Sequence, residues 1–164
     1  DLGFKMTDVT LSATDIRILQ ALQKDAAISN VQLAEMVGMS PSPCLRRVKQ
    51  LEASGVIKRQ VALLDRKKLG FGVLATIQVR LQSHTEQGAE DFARAMNDLP
   101  EILSCWAMTG RQDFLLVSVA RDIESFGDFV THQLLSMPNV RDVQSSLVLK
   151  EYKNLTAIPL PKGV

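Results

Sequence analysis

Cysteine, histidine and aromatic residues are scarce in this chain, and each scarcity removes a class of function. The two cysteines, Cys44 and Cys105, lie far apart and form no Cys-x-x-Cys pair. They would pair only by bridging distant segments, so reduced, packed thiols are a better reading than a disulfide scaffold. The two histidines, His84 and His132, have no Cys or carboxylate at ligand spacing, which favours exposed or capping roles over a metal site. No Gly-x-Ser-x-Gly, phosphate-binding loop or dinucleotide fingerprint occurs, so neither an enzyme nor a cofactor is expected. No run approaches the roughly 18 apolar residues that a membrane helix needs. Residues 1–5 are too short and too polar for a signal peptide, and Met6 is a candidate native start. These absences describe a soluble, cytoplasmic protein.

Net charge is also small, at +1, but it is unevenly spread. Residues 1–70 hold 11 Lys/Arg against 7 Asp/Glu, whereas residues 71–164 hold 8 against 11. Within 40–68 the imbalance sharpens to 8 basic against 2 acidic residues. Such asymmetry predicts a basic module for a polyanion and a second module with another task.

Helical signals dominate the first part. Ser12 and Asp15 form a capping-box pattern before Ile16, Ile18, Leu19 and Leu22, predicting a helix over 12–24. Ser29 and Gln32 repeat it for a helix over 30–37, with Leu33, Ala34 and Val37 inward and Gly38 as the stop. Ser40 then caps a third helix with Pro41 at its first position, and Gly55 ends it. Cys44, Val48 and Leu51 fall at i, i+4 and i+7 on its buried stripe. Two helices about a Gly-Met-Ser turn, preceded by a third, predict a helix-turn-helix. Residues 56–64 are β-prone and predict a small wing or connecting strand.

From 73 onward the periodicity changes. Val73, Ala75, Ile77, Val79 and Leu81 alternate with polar residues, predicting a half-buried strand. Helical spacing returns over 86–99, strands are expected at 102–109 and 114–121, a helix at 122–137 with Ile123, Phe126, Val130 and Leu134 inward, and a strand at 143–149. The order β-α-β-β-α-β is a ferredoxin-like split unit. The fold class expected is therefore α+β. It comprises a three-helix (winged) helix-turn-helix domain at 11–60, a linker strand at 61–71, a ferredoxin-like domain at 72–152 and a C-terminal tail at 153–164. Helices cover one face of such a sheet, so the other is expected to be an apolar patch that drives self-association.

Ser42, Arg46 and Lys49 form a polar stripe on the third helix, displaced from the apolar one and flanked by Arg47 and Gln50. The arginine fork fits both guanine edges and phosphate, and Ser40 and Ser42 beside the free N–H groups of a first turn suit phosphate. With Ser29, Asn30 and Pro43, these residues make the candidate contact set for double-stranded DNA. A solvated basic helix is the bland alternative, and the complete three-helix pattern weighs against it.

The run SNVQLAEMVGMSPSPCLRRVKQLEASGVI, continued by VALLDRKKLGFG, WAMTGRQDFLLVSV and VRDVQSSLVLKEYK, closely resembles the Lrp/AsnC, or feast/famine, family of bacterial transcription regulators. The resemblance extends from Leu11 to about Pro159. It implies an N-terminal DNA-binding module and a C-terminal module for dimerisation and amino-acid sensing. It further implies dimers that assemble into tetramers or octamers in the nucleoid-associated cytoplasm. Amino acids bind between dimers in this family, near the turn joining the middle strands. Carried to this chain, that turn is Thr109, Gly110, Arg111, Gln112 and Asp113, with Gln144, Ser145 and Ser146 as neighbours. Family precedent leans toward leucine or methionine as effector. Arg111-Gln112 stands where relatives often carry an acidic or aromatic residue, and Phe114 where tyrosine is frequent. The residues themselves offer backbone N–H groups for a carboxylate and Asp113 for an ammonium, although a Gly-x-x-Asp turn is commonly just a turn. The leading expectation is a sequence-specific regulator modulated by an amino acid; the alternative is an architectural DNA-wrapping protein without effector control.

Overall fold

The computed structural model describes residues 10–154 and 157–160; residues 1–5 and Met6, the candidate native start, lie outside them. The chain forms two compact units. Among the described residues, one holds those up to Leu63 together with those from Lys153 to Leu160, and the other is Leu64–Tyr152.

Three helices build the first unit: α1 (Ala13–Lys24), α2 (Asn30–Val37) and α3 (Pro41–Ala53). Both predicted capping boxes are formed, with Ser12 and Asp15 closing the start of α1 and Ser29 and Gln32 that of α2. Ser40 takes the N-cap position of α3, but its hydroxyl makes no capping hydrogen bond. Pro41 in the first turn needs no such help, because its missing N–H is one fewer donor to satisfy. Ile18, Leu33, Ala34, Val37, Cys44 and Leu51 form the sealed centre of this unit, and Leu160 packs against it from the far end of the chain. Burial raises the Cys44 and Cys105 thiol pKa values, and both cysteines are unbridged.

The β-prone residues 56–64 and the expected linker strand at 61–71 form no strand among the described residues. A strand needs a facing row of N–H and C=O groups, and no ladder pairs with this stretch. Val61, Leu63 and Leu64 are instead exposed. The expected tail is tied to the first unit. Ile158 exchanges two hydrogen bonds with the Gln23 side chain on α1, donating its N–H at 2.7 Å and accepting through its carbonyl at 3.2 Å.

In the second unit β1 (Val73–Leu81), α4 (Glu86–Asn97), β2 (Ile102–Ala107), β3 (Phe114–Ala120), α5 (Ile123–Asp128) and β4 (Val140–Leu147) give a four-stranded antiparallel sheet of order β2-β3-β1-β4. This is the ferredoxin-like arrangement. Ala75, Ile77, Val79 and Leu81 lie on its helix-covered face with Phe114, Leu116, Phe92 and Met96.

The helix expected at 122–137 is split. After α5 the backbone widens into a π-helical turn at Phe129–Leu134, where Leu135 donates to the Val130 carbonyl. A five-residue step brings Phe129 and Leu134 to one face, so Phe126, Phe129 and Leu134 are buried, while Ile123 stays 67% exposed. β4 starts three residues earlier than expected and ends before Leu149, which is 97% exposed. Asn139, in the left-handed region at φ 70°, sets that start by clasping Ser83 through both its amide atoms. The open face of the sheet is not uniformly apolar. Leu115, Val117 and Val119 of β3 lie on it with Trp106, but the β1–β4 half presents Thr76, Gln78, Arg80, Asp142, Gln144 and Ser146.

Candidate functional site

α2 ends at Gly38 with φ 70°, and Met39 donates back to the Ala34 carbonyl at 2.8 Å, reversing the chain tightly. The amide of Asn30 donates to the Pro41 carbonyl at 2.8 Å, tying the start of α2 to the start of α3. Its Oδ1 is buried and unpartnered. α3 then points Cys44 and Leu51 into the core and leaves Ser42, Arg46, Lys49 and Gln50 exposed. These residues line a shallow hollow of about 420 Å³ together with Leu45 and Ala53. Pro43 is half-buried.

Arg47 leaves this surface. Its guanidinium grips both carboxylate oxygens of Asp15, with Nη2 to Oδ2 at 2.6 Å and Nε to Oδ1, while Nη1 donates to Gln50 at 3.1 Å. Asp15 is fully buried, and the hydrogen bonds from Arg47 hold its carboxyl well below the usual carboxylate range. Arg47 is thus committed to the fold, and Asn30 and Ser29 to the geometry of α2.

In the second unit the turn Thr109–Asp113 joins β2 to β3, with Gly110 at φ 108°. Asp113 pins this turn to β1. Its N–H donates to the Val79 carbonyl at 2.9 Å, its Oδ2 accepts from the Leu81 N–H at 2.7 Å, and its Oδ1 lies 2.9 Å from Nδ1 of His84. A carboxylate so occupied is poorly placed to take a ligand's ammonium, contrary to the expectation from the bare sequence. Arg111, Gln112 and Gln144 converge instead on a hollow of about 380 Å³ whose other walls are Gln78, Arg80 and Asp142. A smaller hollow of about 180 Å³ adjoins it, shares Gln78, Arg111 and Gln112, and is completed by Met108, Thr109, Phe114 and Leu115. Arg80 Nε and Gln112 Oε1 are buried there without hydrogen-bond partners, which leaves two polar groups desolvated and uncompensated. Ser146 shares this face of the sheet, whereas Ser145, opposite Ile77, lies on the other face and outside the hollow.

Two family models match the chain, a winged helix-turn-helix DNA-binding domain over residues 11–58 and the Lrp/AsnC ligand binding domain over residues 74–158. The leucine-responsive regulatory protein of Rhizobium meliloti is 39% identical over 152 residues, covering 93% of this chain and 97% of that protein. The transcriptional regulator AzlB of Bacillus subtilis is 36% identical with the same coverage. Among solved structures, a transcriptional regulator from Neisseria meningitidis in complex with L-Met is 46% identical and superposes with a TM-score of 0.88, covering 93% of this chain and 98% of that one. This chain belongs to the Lrp/AsnC family of transcription regulators.

The Lrp/AsnC regulator therefore carries a DNA-binding helix-turn-helix and a ligand-binding domain, and no helix among its described residues is long and apolar enough to cross a membrane. Its relatives are regulators, not enzymes. Sequence reading missed Gln78, Arg80 and Asp142, although a signal was present. Gln78 and Arg80 occupy polar alternates of a predicted strand, Asp142 lies one residue before another, and the register sets Gln78 opposite Gln144 and Arg80 opposite Asp142. It also missed Leu45, an apolar residue standing between Ser42 and Lys49 on the polar stripe.

Proposed function

We propose that this Lrp/AsnC regulator reads operator DNA through Ser40, Ser42, Arg46, Lys49 and Gln50 and is modulated by a free α-amino acid held in the hollow beside the Thr109–Asp113 turn. The carboxylate lies against Arg80 and Arg111, the ammonium against Asp142, and the Gln78, Gln112 and Gln144 amides fix orientation. Met108 and Leu115 receive the side chain, which favours an apolar one such as leucine or methionine. The relative crystallised with L-Met supports this class of effector. The observation that carries the ligand reading is the buried, unpartnered pair Arg80 Nε and Gln112 Oε1, a donor and an acceptor whose desolvation a bound zwitterion would offset. A second copy covers the open sheet face, giving a cytoplasmic homodimer that assembles further to tetramer or octamer. The ligand then shifts the equilibrium between assemblies that space the DNA-reading heads differently.

The test is a thermal-shift screen of the full chain against the twenty amino acids, since a ligand of the folded state raises its apparent stability by mass action. Calorimetry of the best hit follows on Asp142→Asn and Asp113→Asn. Loss of a charge-assisted contact of roughly 1.5–3 kcal/mol predicts about one to two decades weaker binding for Asp142→Asn. Equal affinity for wild type and Asp142→Asn would move the ligand elsewhere. A screen without hits, with DNA binding intact, would favour the architectural alternative.

A further inference from the structure

We propose that Leu45 is a specificity-determining residue of this regulator, touching the C5-methyl group of a thymine in the major groove. The inference rests on reading the outer face of α3 as the recognition surface. Leu45 is 44% exposed, although Cys44 beside it is fully buried and the inward stripe of α3 is already supplied by Cys44, Val48 and Leu51. It stands three residues after Ser42 and four before Lys49, on their side of the helix, and lines the same hollow as Arg46, Lys49 and Ala53. An apolar floor between two cationic side chains suits a surface that is anionic at its rim and apolar at its centre. A duplex edge with phosphates outside and a methyl group inside is such a surface. An apolar protein patch would leave Arg46 and Lys49 unmatched.

Position and chemistry agree. Recognition helices reach base edges with their N-terminal residues, and Leu45 is the fifth of the thirteen residues in α3. In the major groove thymine alone among the four bases presents a methyl group, and apolar side chains read it by contact. The neighbouring Arg47 is held by Asp15, which leaves Leu45 flanked by Ser42, Arg46 and Lys49 as the groove-facing set.

The deciding experiment replaces thymine by uracil. This removes the methyl group and leaves every hydrogen-bonding group of the base pair in place. The full-length protein first enriches its preferred duplex from a randomised pool, and each thymine of that duplex is then changed in turn to deoxyuridine. Burying one methyl group predicts about a fourfold loss of affinity at one thymine per half-site for the wild type. Leu45→Ala should bind the parent duplex more weakly, be indifferent to uracil at that position, and keep the wild-type salt slope and melting temperature. A wild-type scan flat at every thymine overturns the proposal. So does a Leu45→Ala protein that still loses affinity at the same uracil. A flat scan combined with Leu45→Ala changing self-association would assign the residue to a protein interface. Failure to enrich any duplex would instead count against the DNA-reading surface as a whole.

Discussion

Arg46 and Arg47 are adjacent and carry the same charge, yet a step of one residue around α3 sends them to different tasks. Arg47 supports the fold by neutralising a buried carboxylate on α1. Removing one partner of a buried pair costs about 3–5 kcal/mol. The Arg47 side chain is 39% exposed, so solvent screening brings the expected cost of Arg47→Ala to roughly 2–3 kcal/mol. Denaturant unfolding of the full chain measures it. The acid limb carries a sign. Because Asp15 has a depressed folded value, its stabilisation is fully present above the unfolded carboxylate value of about 4 and is lost as pH falls through the folded value. Arg47→Ala should therefore flatten the dependence of stability on pH in the acid range and change it little near neutrality. Arg46→Ala should leave stability alone. If Arg46 holds phosphate, the slope of log affinity against log salt falls by about one; if it reads a base, discrimination at one position falls by about 1–3 kcal/mol.

At the level of elements, what the sequence announced and what it concealed follow from local against non-local causes. Capping boxes, the Pro41 start and the Gly38 stop are encoded within four residues, and all of them are present. Strand alternation in β1 is equally local and holds from Leu74 to Leu81. The π-helical turn was invisible because Ile123, Phe126, Val130 and Leu134 fit a 3.6-residue period, and only packing on the sheet selects Phe129 over Val130. The absent strand at 61–71 shows the converse, since β-propensity without a partner row makes no ladder. The hollow proposed for the ligand was half legible. Arg111, Gln112 and Gln144 were named through family resemblance, but Arg80 and Asp142 required the register between β1 and β4. The contacts of Asp113 were not legible, because its partners, the Leu81 N–H and His84, are about thirty residues away. Gly38 offers an element-scale test. A Cβ there meets nothing within 4 Å, so Gly38→Ala should cost only the left-handed backbone penalty, about 1 kcal/mol. Thermal unfolding with preserved DNA affinity at low temperature is the expected pattern.

For the molecule as a whole, the composition of the units matters more than their number. Residues 64–152 contain a sealed core of their own and, with Trp106, Leu115 and Val117 on the open sheet face, should fold and self-associate when expressed alone. Sedimentation as a monomer at micromolar concentration would contradict the assembly proposed here. The first unit is different, because it draws on both ends of the sequence. A groove of about 540 Å³ between α1 and residues 56–63 has Ile158 and Leu160 among its walls, and a chain ending at Tyr152 should lose thermal stability in the helical unit while the sheet unit keeps its own. The contact between Gln23 and Ile158 spans 135 residues. A ribosome adding roughly 5–20 residues per second needs roughly 7–27 s to cover that distance. Through that interval the nascent helices wait with the groove unfilled, an apolar surface open to chaperones and to neighbouring chains. The DNA-reading unit begins before the sensing domain and is completed after it.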